Sequence, residues 1–456
     1  MIAISKLAKI LLLVFACLHL AFAVSFALKT PYRTSGFVFM TRKSPTTDVG
    51  APDERQHANY IRAVINNRLP VLDPQATDLG EEYQSHQPPL YYLAASRVGQ
   101  LTGQTDVESQ SFGRVIRLFN CMIGAAGVVG VFFAAFWATK REDIALVSAA
   151  FAALLPMNCA LSGAISNDPL LFTLISWSFA YCAQALNNED ESYTKKYLVL
   201  AAVFTGLACI TKSSGLVALA GFVVTLVMLR KQVPRKTLGA VGLHALAIAL
   251  PVWIRNQVIY GDPLAQKVFK EAFTGSAQKS MIIAQIEGSN AAGSPEVQYW
   301  LNWVGYWTAR SFIGVFGNMD IWLNGKSGPY DNDPNLLYKG LIAVIALGKM
   351  SFLLHLRNKW SEIRKPVLIG LLISVLTGLL FIGFNMTYFQ AQGRYLLPAL
   401  APLSLMFAIG WLNLFKSKLM PVLITVTILF GGTTIYALTQ LEPEFSARIS
   451  GTVSPR

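Results

Sequence analysis

Long apolar runs separated by short polar turns occupy almost the whole chain, and one polar stretch, residues 52–92, breaks that rhythm near its start. Runs near the length that crosses a bilayer as a helix, about 17–25 residues, fall at 7–28, 113–138, 144–162, 170–186, 197–210, 215–229, 238–254, 336–354, 367–384, 395–415 and 419–438. The segment 197–229 is divided at Thr211-Lys212-Ser213-Ser214, because a single crossing would carry a charged lysine at mid-depth. The pattern predicts an all-α integral membrane fold of about eleven transmembrane helices. A large outer loop at 29–112, carrying surface helices, follows the first helix, and a second at 255–335 separates the seventh from the eighth. Helices two to seven then occupy 113–254, helices eight to eleven occupy 336–438, and 439–456 is an outer tail of the same single domain.

Inside the first loop Ala58, Ile61, Val64 and Ile65 recur at helical spacing, predicting a short amphipathic helix over 53–65 along the membrane surface. Leu69-Pro70 ends it, and Pro88-Pro89 turns the chain into a further helix from Leu90.

Composition agrees with the pattern. Of 456 residues, 53% are hydrophobic and 14% charged, far from the balance of soluble domains. A net charge of +13 does not mark a nucleic-acid surface here, because the basic residues form clusters between apolar runs. With the N-terminus inside, Lys140-Arg141, Lys195-Lys196, Arg230-Lys231 with Arg235-Lys236, the cluster from Arg357 to Lys365, and Lys416 with Lys418 all fall on the cytoplasmic side. The outer side receives 29–112, 163–169, 211–214, 255–335, 385–394 and the tail. The run after Lys6 and Lys9 exceeds the 7–15 residues usual for a signal sequence, so a retained first helix is expected. Cys17, Cys121, Cys159, Cys182 and Cys209 lie in apolar runs and are expected as buried, unpaired residues, and His19 and His244 as packed core.

Chemistry is expected in 52–92. Asp53 and Glu54 stand at a helix start, where Asp53 with Gln56 matches a capping box, and where a carboxylate beside the bilayer can also take a proton from a hydroxyl. Asn167-Asp168-Pro169 matches an N-cap followed by proline in the first turn. Lys212, Arg255 and Arg394 lie at outer ends of spans, as interface anchors or as a cation set for a phosphate.

Pro52-Asp53-Glu54, a surface helix with Tyr60-Ile61-Arg62, Leu69-Pro70 and the return Pro88-Pro89-Leu90-Tyr91-Tyr92 resemble the first outer loop of GT-C class glycosyltransferases. More specifically, they resemble the bacterial relatives of protein mannosyltransferases and of lipid A aminoarabinose transferases. Ser166-Asn167-Asp168-Pro169, Thr211-Lys212-Ser213, Arg255-Asn256, Gly261-Asp262-Pro263 and Gln392-Gly393-Arg394-Tyr395 extend the likeness to about residue 412. The resemblance implies a multi-pass inner-membrane enzyme that moves a sugar from a polyprenyl-phosphate donor to a lipid, glycan or protein acceptor on the outer face. It implies Asp53 as base with Glu54 beside it, a donor phosphate at Lys212, Arg255 and Arg394, and Asp168 in a divalent-metal site, to which His86 can add an imidazole ligand. The chain departs from the aminoarabinose transferases at His86-Gln87, where they carry Glu-Lys, which removes one phosphate contact and bears on metal use.

In the second loop, 275–295 is rich in Gly, Ser, Ala and Gln and is expected to be mobile. Tyr299, Trp300, Trp303, Tyr306, Trp307, Phe312, Phe316 and Trp322 follow, as an interfacial helix or as a surface for a sugar ring and a polyprenyl chain. The rival function is a flippase or transporter for a lipid-linked saccharide, which predicts broken helices at mid-depth and internal repeats. No repeat is visible, and the polar residues collect at one face.

The charge pattern predicts that a cysteine replacing Ser446 is labelled from outside by an impermeant reagent. Labelling only after the membrane is permeabilised would overturn the topology.

Overall fold

The computed structural model describes residues 4–39, 43–289, 292–326, 333–358 and 365–452. Most of the basic cluster between Arg357 and Lys365, and parts of 275–295 and of the second loop, lie outside the described residues.

Helix α1 (Lys6–Lys29) leads into a small antiparallel hairpin, β1 (Gly36–Val38) with β2 (Ser44–Thr46), in which Phe37 lies opposite Pro45. Next come α2 (Glu54–Ile65), α3 (Leu79–Glu82), a 3-10 turn Tyr83–His86 and α4 (Leu90–Leu101). The bundle follows as α5 (Gln110–Thr139), α6 (Glu142–Leu154), α7 (Pro156–Ser162), α8 (Asp168–Leu186), α9 (Glu191–Cys209), α10 (Leu216–Leu229) and α11 (Arg235–Tyr260). Four short helices, α12 (Gln266–Ala272), α13 (Lys279–Gly288), α14 (Pro295–Gln298) and α15 (Tyr306–Ile313), make up the second loop, with a π-helical turn Tyr299–Gly305 before α15. Then come α16 (Asn335–Asn358), α17 (Lys365–Asn385), a 3-10 stretch Gly393–Ala399 entering α18 (Leu400–Leu414), α19 (Leu419–Val426) and α20 (Gly432–Ser450).

Every apolar run of the sequence coincides with helix. Among the described residues eight helices are long and apolar enough to cross a membrane, and α6 with α7, bent by 63°, makes a ninth if taken as one span. The helices either side of Lys212 are not among the eight; α10 with the turn before it is a shorter apolar helix. Burial separates inner from outer helices: 83% of the most apolar window of α8 is buried but only 22% of that of α11, whose sides are left for lipid.

Close packing in the middle depends on small residues, since lipid provides no hydrophobic drive between helices. A Cβ on Gly127 of α5 would lie 2.6 Å from the Thr173 hydroxyl of α8, so only glycine admits that approach. At the α6–α7 break Pro156 begins a new helix, and the carbonyls left over from α6 find side chains. Asn158 donates to Ala152, and Cys159 and His19 to Ala153. His19 is fully buried, as expected of a core residue. His244 is not: it is exposed on the lipid-facing helix α11, bonded along its own helix to the Ala240 carbonyl. Four of the cysteines are buried and all five are unpaired, but Cys17 is exposed, because α1 lies at the rim of the bundle.

Polar segments that the charge pattern assigns to one side meet at one end of the bundle. The tail of α20 reaches the hairpin and the second loop, where buried Arg448 lies 3.4 Å from Asp320, which also accepts from the Phe39 amide. At the opposite end Ser5 bonds to Glu142, and Arg141 to Ser417. The segment 275–295, expected to be mobile, contains α13, whose buried Ile282 and Ile286 pack against Tyr299 and Phe381, supplying the apolar contact that the composition concealed.

The amphipathic helix appears as α2, and one buried ion pair sets its place. Arg117 of α5 grips both carboxylate oxygens of Glu54, at 2.7 and 2.6 Å, and gives its other N–H groups to the carbonyls of Ala27, Thr30 and Pro31. Glu54 also accepts from the Ile165 amide at 2.8 Å. Both side chains are sealed from solvent, at 3% and 0% exposure. Glu54→Gln strands the guanidinium charge, so a loss of about 3–5 kcal/mol of stability is expected. Unfolding of the purified protein in detergent measures it, and a midpoint equal to the parent's would refute this role.

Candidate active site

Asp53 precedes α2 in a left-handed conformation, φ 62°, an uncommon choice for a residue with a side chain. The capping box expected from Asp53 and Gln56 does not form: the Asp53 side chain makes no cap bond, and Gln56 reaches instead for the Gly80 carbonyl. Freed from the helix end, the carboxylate points at two partners. Oδ1 accepts the Tyr83 hydroxyl, and Oδ2 accepts Arg394 Nη2 at 2.6 Å.

Each partner is positioned by a separate piece of chain. Tyr83 begins the 3-10 turn after α3, and α3 is tied to α2 by Glu81, which takes Arg55 at 2.7 Å and Asn59 at 2.9 Å. Arg394 is placed by Gly393, whose added Cβ would come within 2.2 Å of the Phe312 nitrogen; the Gly393 amide donates to the Ser311 hydroxyl. The 3-10 stretch is thereby clamped to α15.

Beside this pair lies a second. Lys212 Nζ is 2.6 Å from Asp168 Oδ1, and the carboxylate is 5% exposed. Three turns converge to make it, for Asn167 donates to the Thr211 carbonyl and the Leu90 amide to that of Ile210. Asp168 is the first residue of α8, with its own amide held by the Ser166 hydroxyl; no side-chain cap forms from Asn167. The Tyr395 ring lies near both cations, 6.0 Å from Lys212 and 5.3 Å from Arg394.

The structure thus brings together Asp53, Asp168, Lys212 and Arg394 and leaves out three expected members. Glu54 is a strut, with its oxygens spent on Arg117 and Ile165 and none facing the Asp53 partners. Arg255 binds the Pro70 carbonyl and Asn256, outside the two ion pairs. His86 turns Nδ1 to the Tyr83 carbonyl at 2.7 Å and packs on Phe269, bracing the Tyr83 turn.

Among the described residues no group of three or more His, Cys, Asp or Glu side chains is arranged to hold an ion. Asp168 is paired with Lys212, and both ring nitrogens of His86 have partners, Nδ1 the Tyr83 carbonyl and Nε2 the Gln87 side-chain amide at 3.0 Å, so these residues as arranged do not fit a metal centre.

Reasoning from sequence missed Tyr83 and His57. His57 follows Asp53 by one helical turn, a signal that was available; Tyr83, thirty residues away, gave none. His57 is buried, shares a 2.8 Å hydrogen bond with the Tyr92 hydroxyl, and sits amid the four charges, while Tyr92 stacks on Tyr60 at 3.6 Å. Burial pushes His57 down to about 4, only partly offset by Asp53, and burial does the same to His86. Burial would raise Asp53, yet the Arg394 charge and the Tyr83 hydroxyl hold it at about 2.

Residues 96–261 match the family model for dolichyl-phosphate-mannose-protein mannosyltransferase. No curated protein sequence matches the chain. The fold is that of solved GT-C enzymes. The Archaeoglobus fulgidus oligosaccharyltransferase AglB, in complex with an inhibitory peptide and a dolichol-phosphate, superposes with a TM-score of 0.55 at 15% identity over 96% of this chain and 56% of that one. ArnT from Cupriavidus metallidurans in the apo state gives 0.52 at 14% identity, over 98% of this chain and 77% of that one. The same ArnT bound to undecaprenyl phosphate gives 0.50 at 15% identity, over 96% and 76%. The chain spans about half the length of the archaeal enzyme. The GT-C likeness seen in the motifs is therefore present in a family model and in the fold.

The histidines set a pH dependence. Unfolded, they titrate near 6.5, whereas folded they stay neutral to about 4. Between those values the unfolded chain binds protons that the folded chain refuses, so stability falls as pH drops through that window. Asp53, near 2 against 3.8, adds a loss only below about pH 4. The unfolding midpoint is expected to fall from pH 7 to pH 5, and His57→Gln to flatten part of that fall. A pH profile unchanged in His57→Gln would contradict the buried neutral state.

Proposed function

We propose that this chain is a membrane glycosyltransferase that moves a sugar from a polyprenyl-phosphate carrier to an acceptor hydroxyl. The acceptor is a lipid, glycan or protein, and the site faces outward from an inner membrane crossed about eleven times, with the short helices either side of Lys212 among the crossings. What carries the reading is one juxtaposition: the Asp53 carboxylate stands in contact with Arg394, with Lys212 beside them, at the polar end of an apolar bundle. A base, and cations for a leaving phosphate, are the parts that such a transfer requires.

Asp53 takes the proton of the acceptor hydroxyl as its oxygen bonds to the anomeric carbon. The bond from that carbon to the phosphate oxygen breaks on the opposite side, its electron pair stays with the phosphate, and the configuration inverts. Arg394 and Lys212 hold the charge that develops on polyprenyl phosphate, with Arg255 further along the rim to meet the donor. No step is routed through a metal ion. Two relatives by fold were solved with dolichol-phosphate and with undecaprenyl phosphate, which supports a lipid-linked phosphate as ligand. A carrier function receives less support, since the ion pairs lie at helix ends and not along a path through the bundle.

Asp53→Asn tests the base. The amide keeps the shape, and no cap bond is at stake, so transfer from a panel of polyprenyl-phosphate sugars is expected to fall by about 10²–10⁴-fold while the variant still folds. Transfer at the parent's rate would remove Asp53 from the chemistry.

A further inference from the structure

In the proposed reaction Arg394 has two claimants. It already gives Nη2 to Asp53 Oδ2, while its Nε is buried with no partner among the described residues. The side chain is only 6% exposed, so a buried donor without an acceptor is costly and calls for one. A guanidinium fork matches a phosphate with two parallel N–H groups, a geometry that the single contact with Asp53 leaves unused. Lys212 stands in a similar position, committed to Asp168 through one oxygen while close to the ring that Arg394 also faces.

The arrangement also restrains Asp53. With a cation on one oxygen and the Tyr83 hydroxyl on the other, the carboxylate is held as a stable anion with little tendency to take a proton. A phosphate drawing Arg394 away removes the group that suppresses its basicity, and the negative charge brought alongside raises its affinity for a proton further. After transfer, departure of the lipid phosphate lets Arg394 return.

We propose that the donor's phosphate and the Asp53 carboxylate compete for Arg394, so that seating a lipid-linked phosphate unmasks Asp53 and the donor must bind before the acceptor hydroxyl is activated. The proposal rests on the polyprenyl-phosphate reading above. It makes Arg394 a switch between two anions and Tyr83 the residue that keeps Asp53 aimed during the exchange.

Binding of undecaprenyl phosphate to the purified full chain in detergent tests it. Removing the competitor should help the ligand, so Asp53→Asn is expected to bind about 5-fold tighter or more. In an Arg394→Gln background the same substitution should change affinity by less than about 2-fold, since the contested cation is gone. Asp53→Ser gives a second neutral variant should the amide fold poorly. Unchanged or weaker binding by both neutral variants overturns the competition. Tightening that persists in full without Arg394 also overturns it, because the effect would then be simple repulsion between anions. A parent chain that binds undecaprenyl phosphate no better than a neutral lipid overturns the donor reading itself, and a parent that binds while the variants do not tighten leaves that reading standing and removes only the switch.

Discussion

The polar end of this molecule depends on Glu54 and Arg117. All the N–H groups of the arginine are used: two on Glu54 and three on carbonyls at the end of α1 and just beyond it. With the Ile165 amide on Glu54, the pair joins the first helix, the surface helix, α5 and the turn before α8 at one buried point. A charge pair out of water is tolerable only when its hydrogen bonds are satisfied, and here they are. Asp53 is the next residue along the chain. Its left-handed backbone and its aim away from the helix start are held by a neighbour that cannot move.

From that point the site is assembled by contacts between turns. Asp53 is secured by α5 through Glu54, Tyr83 by α2 through Glu81, Arg394 by α15 through Gly393, and Lys212 with Asp168 by the meeting of three turns. Helix ends make suitable supports, since each arrives at the polar end with backbone groups left to bond and with little freedom to tilt inside the bundle. The resulting cluster is electrically paired, and the pairing is what makes its cations available in exchange for another anion.

The likeness to GT-C enzymes is one of architecture, at 14–15% identity for AglB and ArnT. The structure does not follow the family resemblance at the expected metal site. Where His86 and Asp168 were expected as ligands, Lys212 pairs with one oxygen of Asp168 and His86 braces the turn that carries Tyr83. AglB has been solved with zinc and sulfate, and among the described residues of this chain no three or more His, Cys, Asp or Glu side chains are grouped to hold an ion.

The sequence alone determined the helical runs, the amphipathic α2 and the identity of Asp53, Asp168, Lys212 and Arg394 as residues of interest. Length and apolar periodicity are local properties and survive in one dimension. It did not determine what those side chains touch. Asp53 in place of a cap, Glu54 as a strut, Arg255 and His86 away from the ion pairs, and Tyr83 on the base all depend on turns far apart in the chain arriving at one place. Asp53 and Arg394 are separated by 341 positions. No local pattern encodes that distance. Only the packing of the helices, fixed by glycines that admit close contact and by one buried ion pair, closes it.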